Sequence, residues 1–121
     1  MERAEITGAA TRRQRISVVV LTHGRAAELA RTLRQLRALP ERPPLIVVDN
    51  ASPDDTAAMV ARDFPEAVLV RAPRNLGAAG RNLGAAAART PYVAFCDDDP
   101  WWAPGSLAAA ADLLDRHRSV A

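Results

Sequence analysis

The sequence predicts an α/β fold in which a mainly parallel sheet of about four strands carries helices on both faces. Short apolar runs rich in β-branched residues alternate with amphipathic segments, and prolines or turn residues separate the two kinds of segment. Strands that alternate with helical segments of roughly 10 to 15 residues form right-handed β-α-β units, which build parallel sheets. A polar cluster follows each apolar run. Because ligands bind beyond the carboxyl ends of parallel strands, these clusters are the candidate site.

The first part of the chain predicts a tail, a strand and a helix. Residues 1–15 lack apolar periodicity, and we expect a disordered tail there and a single domain over residues 16–121. The β-branched run 16–21 is typical of a strand that is covered on both faces. Leucines at helical spacing then predict an amphipathic helix over residues 25–38, which the following prolines end.

The strand and helix pattern then repeats. Residues 45–48 predict a second strand that ends at Asp49. Ser52 as N-cap and Pro53 at the first helical position predict the start of a second helix. The remaining predicted elements are a strand over residues 67–70, a helix over 78–88, a strand over 92–95 and a helix over 104–117.

The composition excludes several classes of function. All sixteen basic side chains are arginine, which excludes lysine Schiff-base chemistry and a Walker-type phosphate lysine within the chain. Cys96 is the only cysteine, so neither an internal disulfide nor a multi-cysteine metal site is possible. The arginines of the predicted tail have no aromatic residues between them, and we expect no binding to nucleic acid.

The composition also bears on where the protein acts. In a chain of 121 residues that is 49% hydrophobic, no apolar run approaches the roughly 20 residues of a membrane helix. The amino terminus shows no pattern of a secretory signal. We therefore expect a cytoplasmic location, with the inner face of the membrane reached only through partners.

Three consecutive carboxylates, Asp97, Asp98 and Asp99, follow the predicted fourth strand. Like charges this close repel one another, and a bound cation relieves that repulsion. Carboxylate oxygens together with water and phosphate oxygens suit Mg²⁺ or Mn²⁺. On extended backbone Asp97 and Asp99 point to one side and Asp98 to the other, so the outer pair offers two ligands. A solvated acidic loop before the next helix is the alternative.

Two further clusters follow the first and second strands. Asp49 can accept hydrogen bonds from a nucleobase or a ribose, and a turn aspartate is the alternative. The turn after the first strand contains Thr22, His23, Gly24 and Arg25. The glycine permits a tight bend or the close approach of a ligand. His23 has no nucleophile arranged beside it in the sequence, and we interpret it as an aromatic ring that lies beside a base.

The last cluster covers residues 74–82, after the third strand. Asn75 is a candidate helix N-cap, and Gly80 and Gly84 allow close packing of the helix that follows. Helix amino termini and arginines such as Arg81 attract anions, whereas ordinary packing with solvated arginines is the alternative. The glycine spacing does not fit a dinucleotide-binding fingerprint.

Taken together, four segments resemble family 2 glycosyltransferases, which have the GT-A fold with a Rossmann-like nucleotide-binding half. The segments occur in family order and extend from residue 16 to the end of the chain. They are residues 16–25, 47–56, 74–82 and 92–107.

The resemblance implies roles for the matching positions. The donor would be a UDP-, GDP- or dTDP-linked sugar, and its acceptor stays open. Family members often have Tyr-Asn where this chain has His23-Gly24, and an acidic residue where it has Pro100. The implied nucleotide-binding residues are Thr22, His23, Arg25, Asp49, Arg81 and Asp98. The implied ligands of Mn²⁺ or Mg²⁺ on the diphosphate are Asp97 and Asp99.

Family members also continue into an acceptor-binding half that supplies the base for inverting transfer, and no residue here matches that base. The leading hypothesis is a donor-binding glycosyltransferase domain. The alternatives are a truncated, non-catalytic nucleotide-binding module, or one half of a split enzyme that a partner chain completes. An unrelated Mg²⁺-dependent phosphotransfer domain is less consistent with the absence of lysine.

Overall fold

The computed structural model describes residues 15–96 and 105–116, which form one parallel sheet with helices on both faces. The sheet has four strands in the order β3-β2-β1-β4, and every strand pair is parallel. The predicted α/β class is therefore confirmed. The strands are β1 (Ile16–Thr22), β2 (Leu45–Asp49), β3 (Val68–Arg71) and β4 (Tyr92–Cys96). The helices are α1 (Ala26–Arg37), α2 (Thr56–Asp63), α3 (Gly80–Ala87) and α4 (Ser106–Arg116), with a 3₁₀ turn at Gly77–Ala79.

The central strand β1 is buried on both faces, as its continuous apolar run predicts. Successive side chains of a strand point to opposite faces. Val18 and Val20 pack into a cluster with leucines of α1 and with apolar residues of α2 and α4. Val19 packs on the other face, where α3 supplies the covering residues. Burial on both faces explains why a run without polar alternation forms a strand here.

Most element boundaries agree with the sequence patterns, but the start of α2 does not. The prediction of Ser52 as N-cap and Pro53 as first helical residue is wrong, since α2 begins at Thr56. The N-cap position is Asp55, which makes no side-chain cap bond. Asp54 instead binds the first helical residue: its Oδ1 accepts hydrogen bonds from the Thr56 N–H, at 3.1 Å, and from the Thr56 hydroxyl. The hydroxyl bond lowers the pKa of Asp54. Ser52 is engaged elsewhere, in the turn beside the candidate site.

Arg15 holds α4 against the sheet. Its Nη1 lies 2.6 Å from Asp115 Oδ2 and 2.9 Å from Asp112 Oδ1, and these bonds, the first above all, raise the pKa of Arg15. The Tyr92 hydroxyl donates to the other oxygen of Asp115 at 2.5 Å. The prediction of a disordered tail over residues 1–15 is wrong for Arg15, because these contacts hold it. Residues 1–14 of the predicted tail lie outside the described residues. Within the described ranges, no helix is long and apolar enough to cross a membrane.

Helix α3 approaches the sheet closely because it presents glycines to it. A Cβ added at Gly84 would overlap the Val19 side chain and lie 3.0 Å from Val48 Cγ2. At Gly80 an added Cβ would lie 2.8 Å from Leu21 Cδ1 and 2.9 Å from the Asn50 side chain. The close packing predicted for both glycines is thus observed, and it draws the start of α3 towards the end of β2.

We predict that Gly84→Ala destabilises the protein, although alanine favours an isolated helix over glycine by about 1 kcal/mol. The added methyl group meets branched side chains of two buried strands, and overpacking of this kind costs about 1–3 kcal/mol. Denaturant unfolding measures the effect. Ala85→Ser on the exposed side of α3 is the control, with an expected change of about 0.5 kcal/mol. A Gly84→Ala variant more stable than the parent would contradict this close packing.

Candidate functional site

The sheet register brings polar residues of three strands to one edge. Thr22 at the end of β1 pairs with Asp49 at the end of β2, and Asp49 pairs with Arg71 at the end of β3. The side chains of Thr22 and Asp49 are almost completely buried, with 3% and 2% of their surfaces exposed. Buried polar groups at a strand end are costly unless they find partners, so their partners show how the site is built.

Asp49 serves the turn that follows β2. Its Oδ1 accepts a hydrogen bond from the Ser52 N–H at 3.0 Å, which is the turn role that the sequence left open. Only one carboxylate oxygen makes that bond, and a carboxylate has lone pairs on both. The turn therefore fixes the orientation of the Asp49 carboxylate and leaves capacity for a further partner.

Asn50 connects three segments of the edge, and we call this set of contacts the Asn50 bridge. Its N–H donates to the Thr22 carbonyl at 2.8 Å, and its own carbonyl lies 2.6 Å from His23 Nδ1. Its side-chain Nδ2 donates to the Gly77 carbonyl at 3.1 Å, while Oδ1 accepts from the Leu76 N–H at 3.3 Å. Asn50 is 3% exposed. The first, second and third polar clusters are thereby held together by one buried residue.

Sequence reasoning placed Asn50 in a polar cluster but gave it no role, because its partners lie 26 to 28 residues away in the chain. A signal was present nonetheless. An amide side chain directly after a buried strand must find several partners, since it carries two donors and two lone pairs.

The backbone of this edge is strained at one non-glycine residue. Ala51 has φ +54°, a left-handed conformation that residues with a Cβ rarely adopt. Gly24 is also left-handed, at φ +65°, and its N–H donates to Ser52 Oγ at 2.8 Å. That bond explains why Ser52 does not cap α2. Strain of this kind persists where the surroundings over-determine the conformation, which is common at binding sites.

An open cleft of about 470 Å³ lies above these turns. The structure brings together in its lining four of the predicted site residues, Thr22, His23, Arg25 and Arg81, together with Asn50. Asp49 adjoins Thr22 in the sheet but does not line the cleft. Thr22 Oγ1 is buried and has no hydrogen-bond partner among the residues that the structure describes. A hydroxyl in that position costs free energy until a ligand satisfies it.

The charges that line the cleft are positive. Arg25 lies on one side, with its Nη2 4.0 Å from Glu28 Oε2 of the same helical turn. Arg81 lies on the other side, with its guanidinium 5.9 Å from the centre of the Phe95 ring. No acidic side chain is among the described residues that line the cleft. Two guanidinium groups around an orphaned hydroxyl favour an anionic ligand that also carries uncharged polar groups.

The predicted metal ligands Asp97 and Asp99, and Asp98 between them, lie outside the described residues. Their strand is described: β4 ends at Cys96, which pairs with Val20 of β1, two residues before Thr22. Within residues 15–96 and 105–116, no group of three or more histidine, cysteine or acidic residues is arranged to hold a metal ion. The metal assignment therefore stays a prediction from the sequence.

Comparisons of the sequence identify a family. Residues 17–121 match the family model described as glycosyl transferase family 2. The succinoglycan biosynthesis protein ExoU of Rhizobium meliloti (strain 1021) is 31% identical in an alignment of 97 residues that covers 76% of this chain and 28% of ExoU.

Solved structures share the fold. The mannosyltransferase PcManGT from Pyrobaculum calidifontis, in complex with GDP-Man and Mn²⁺, matches with a TM-score of 0.72 and 29% identity, over 87% of this chain and 33% of PcManGT. TarS 1-349 from S. aureus in complex with UDP matches with a TM-score of 0.66 and 25% identity, over 87% of this chain and 33% of that chain. The match thus spans about a third of the length of each of these chains.

We predict that Asn50→Ala destabilises the protein by about 2 kcal/mol, because the Leu76 N–H and the Gly77 carbonyl lose their partner. Denaturant unfolding gives the free energy, and hydrogen exchange at the Leu76 amide reports the local loss. Asn82→Ala on the exposed side of α3 is the matched control and should change the free energy of unfolding by no more than about 0.5 kcal/mol. Equal stability of the two variants would show that the Asn50 bridge does not hold the edge together.

Proposed function

Because the chain belongs to glycosyl transferase family 2, we propose that its cleft binds the nucleotide of a nucleotide-diphosphate sugar for glycosyl transfer. The observation that carries the proposal is the buried hydroxyl of Thr22, which has no partner among the described residues, in a cleft lined by Arg25 and Arg81. A nucleoside diphosphate satisfies both features, since it offers uncharged polar groups at one end and negative charge at the other. PcManGT was solved with GDP-Man and TarS with UDP, which supports this ligand class.

The nucleoside end of the ligand fits the strand-end side of the cleft. Thr22 and His23 line it, and Asp49 pairs with Thr22 in the sheet. In this proposal these groups meet the base and the ribose, and Asp98 also contacts the ribose. Hydrogen bonds to uncharged nucleoside groups fix the orientation of the donor, whereas the arginines contribute affinity for its phosphates.

The acidic run completes the proposed site. Asp97 and Asp99 supply hard oxygen ligands that suit Mn²⁺ or Mg²⁺, and PcManGT was solved with Mn²⁺. The ion would neutralise negative charge on the departing nucleoside diphosphate. Cys96 precedes the run and pairs with a residue two positions before Thr22. The family resemblance implies inverting transfer, and we propose no residue of this chain as the base for that step.

We predict that UDP or GDP binds in calorimetric titrations, and that Mn²⁺ strengthens the binding. Asp99→Asn should weaken the metal-dependent binding by about tenfold or more, because one ligand of the ion is lost. Asp63→Asn, at the carboxyl end of α2, makes the same substitution far from the site and should leave binding unchanged. If no nucleotide binds the wild-type chain in Mn²⁺, the proposed function is wrong. Sugar transfer by the chain itself would exclude the binding-module alternative.

We predict that Thr22→Val has opposite effects on stability and on binding. Valine has nearly the shape of threonine, and the hydroxyl that it removes is buried without a partner in residues 15–96 and 105–116. The free energy of unfolding should therefore rise by about 1 kcal/mol, while nucleotide affinity falls about fivefold. Unfolding and calorimetry on the same preparation measure both quantities. A variant that loses stability and binding together would indicate a structural role for the hydroxyl instead.

A further inference from the structure

His23 is held by a contact that defines its hydrogen-bonding character. Its Nδ1 lies 2.6 Å from the carbonyl oxygen of Asn50. A carbonyl oxygen only accepts hydrogen bonds, so the proton of this bond belongs to Nδ1. In the neutral imidazole the other ring nitrogen, Nε2, then has no proton and acts as an acceptor.

The partner that selects this tautomer is itself fixed. Asn50 is buried, and its N–H donates to the Thr22 carbonyl at 2.8 Å. Its side chain is held by the Gly77 carbonyl and the Leu76 N–H. The Asn50 carbonyl therefore cannot turn away from His23 without breaking the Asn50 bridge.

The free side of the ring faces the ligand. His23 is exposed and lines the cleft, and no described residue binds its Nε2. The neighbouring Thr22 Oγ1 is buried and unpartnered among the described residues of the same cleft. Thr22 Oγ1 and His23 Nε2 thus both lack a hydrogen-bond partner among the described residues, and Nε2 can only accept a hydrogen bond in the neutral ring.

We propose that His23 reads the nucleoside through Nε2, which accepts a hydrogen bond from a base N–H or a ribose O–H. The inference rests on the proposed nucleotide site and adds to it a residue that determines specificity. Arg25 and Arg81 already supply positive charge for the diphosphate, so a neutral acceptor at His23 serves the uncharged part of the ligand. Stacking of the ring on a base requires no such polarity.

The tautomer is tested first, without any ligand. Long-range ¹H–¹⁵N correlation spectra of the side chains, recorded at alkaline pH, distinguish a protonated ring nitrogen from an unprotonated one. The chain has two histidines, and the set of ring signals that disappears in the His23→Phe variant belongs to His23. We expect a protonated Nδ1 and an unprotonated Nε2 at His23. A proton on Nε2 would overturn the inference, whatever the nucleotide result.

Binding is tested with UDP or GDP, whichever binds the wild type more tightly, in saturating Mn²⁺. His23→Phe keeps an aromatic ring but has no acceptor, and we expect affinity to fall about fivefold to tenfold. His23→Gln offers an acceptor oxygen and should recover part of the loss. Arg31→Gln on the exposed face of α1 is the control. If His23→Phe binds the nucleotide as tightly as the wild type does, the ring only stacks on the base and the proposal is wrong.

Two nucleotide analogues separate the possible donors. One is methylated at the imide N–H of the base, and the other lacks the ribose 2′-hydroxyl. We expect one analogue to bind wild type about tenfold more weakly than the parent nucleotide, yet to bind His23→Phe as the parent does. If neither analogue couples to His23, the inference fails. That failure is distinct from failure of the proposed function, in which the wild type binds no nucleotide at all.

Discussion

The parallel pairing of β1 with its two neighbours is the constraint on which the rest of the structure depends. Parallel strands end at the same edge of a sheet, and the register places Thr22 beside Asp49 and Cys96 beside Val20. A slip of one residue would reverse the face of every side chain on the shifted strand. Val19 holds that register, because it is buried under α3 while its neighbours are buried under the helices of the other face.

Hydrogen bonds between distant segments hold the turns at the carboxyl edge of the sheet in place. The Asn50 bridge joins three segments, and Ala51 is held in a left-handed conformation beside it. At the same time the hydroxyl of Thr22 has no partner among the described residues. Backbone strain and an unsatisfied polar atom both lower the stability of the folded chain, and their combination is typical of a binding site that is organised before its ligand binds.

The His23-Gly24 pair departs from the Tyr-Asn that often occupies these positions in the family, and the structure gives a reason why the backbone tolerates it. Gly24 has φ +65°, and asparagine is the residue that follows glycine most readily into that conformation. The departure therefore keeps the turn and its hydrogen bond to Ser52. The side chain is what differs, because the imidazole of His23 has ring nitrogens and a phenol ring has none. The bond to the Asn50 carbonyl makes Nδ1 the donor and leaves Nε2 as the acceptor.

The sequence by itself determined the α/β class, the strands and helices to within about two residues except at the start of α2, and the edge at which the polar clusters meet, since apolar periodicity and chain order carry that information. It misassigned Ser52 because a serine before a proline satisfies the local rules for a cap. In the folded chain that hydroxyl oxygen instead accepts a hydrogen bond from the N–H of Gly24, 28 residues away. The Asn50 bridge, the tautomer of His23 and the orphaned hydroxyl of Thr22 likewise depend on atoms brought together across the sheet. Local pattern contains no record of such partners, because hydrogen bonds between distant segments exist only after the chain has folded.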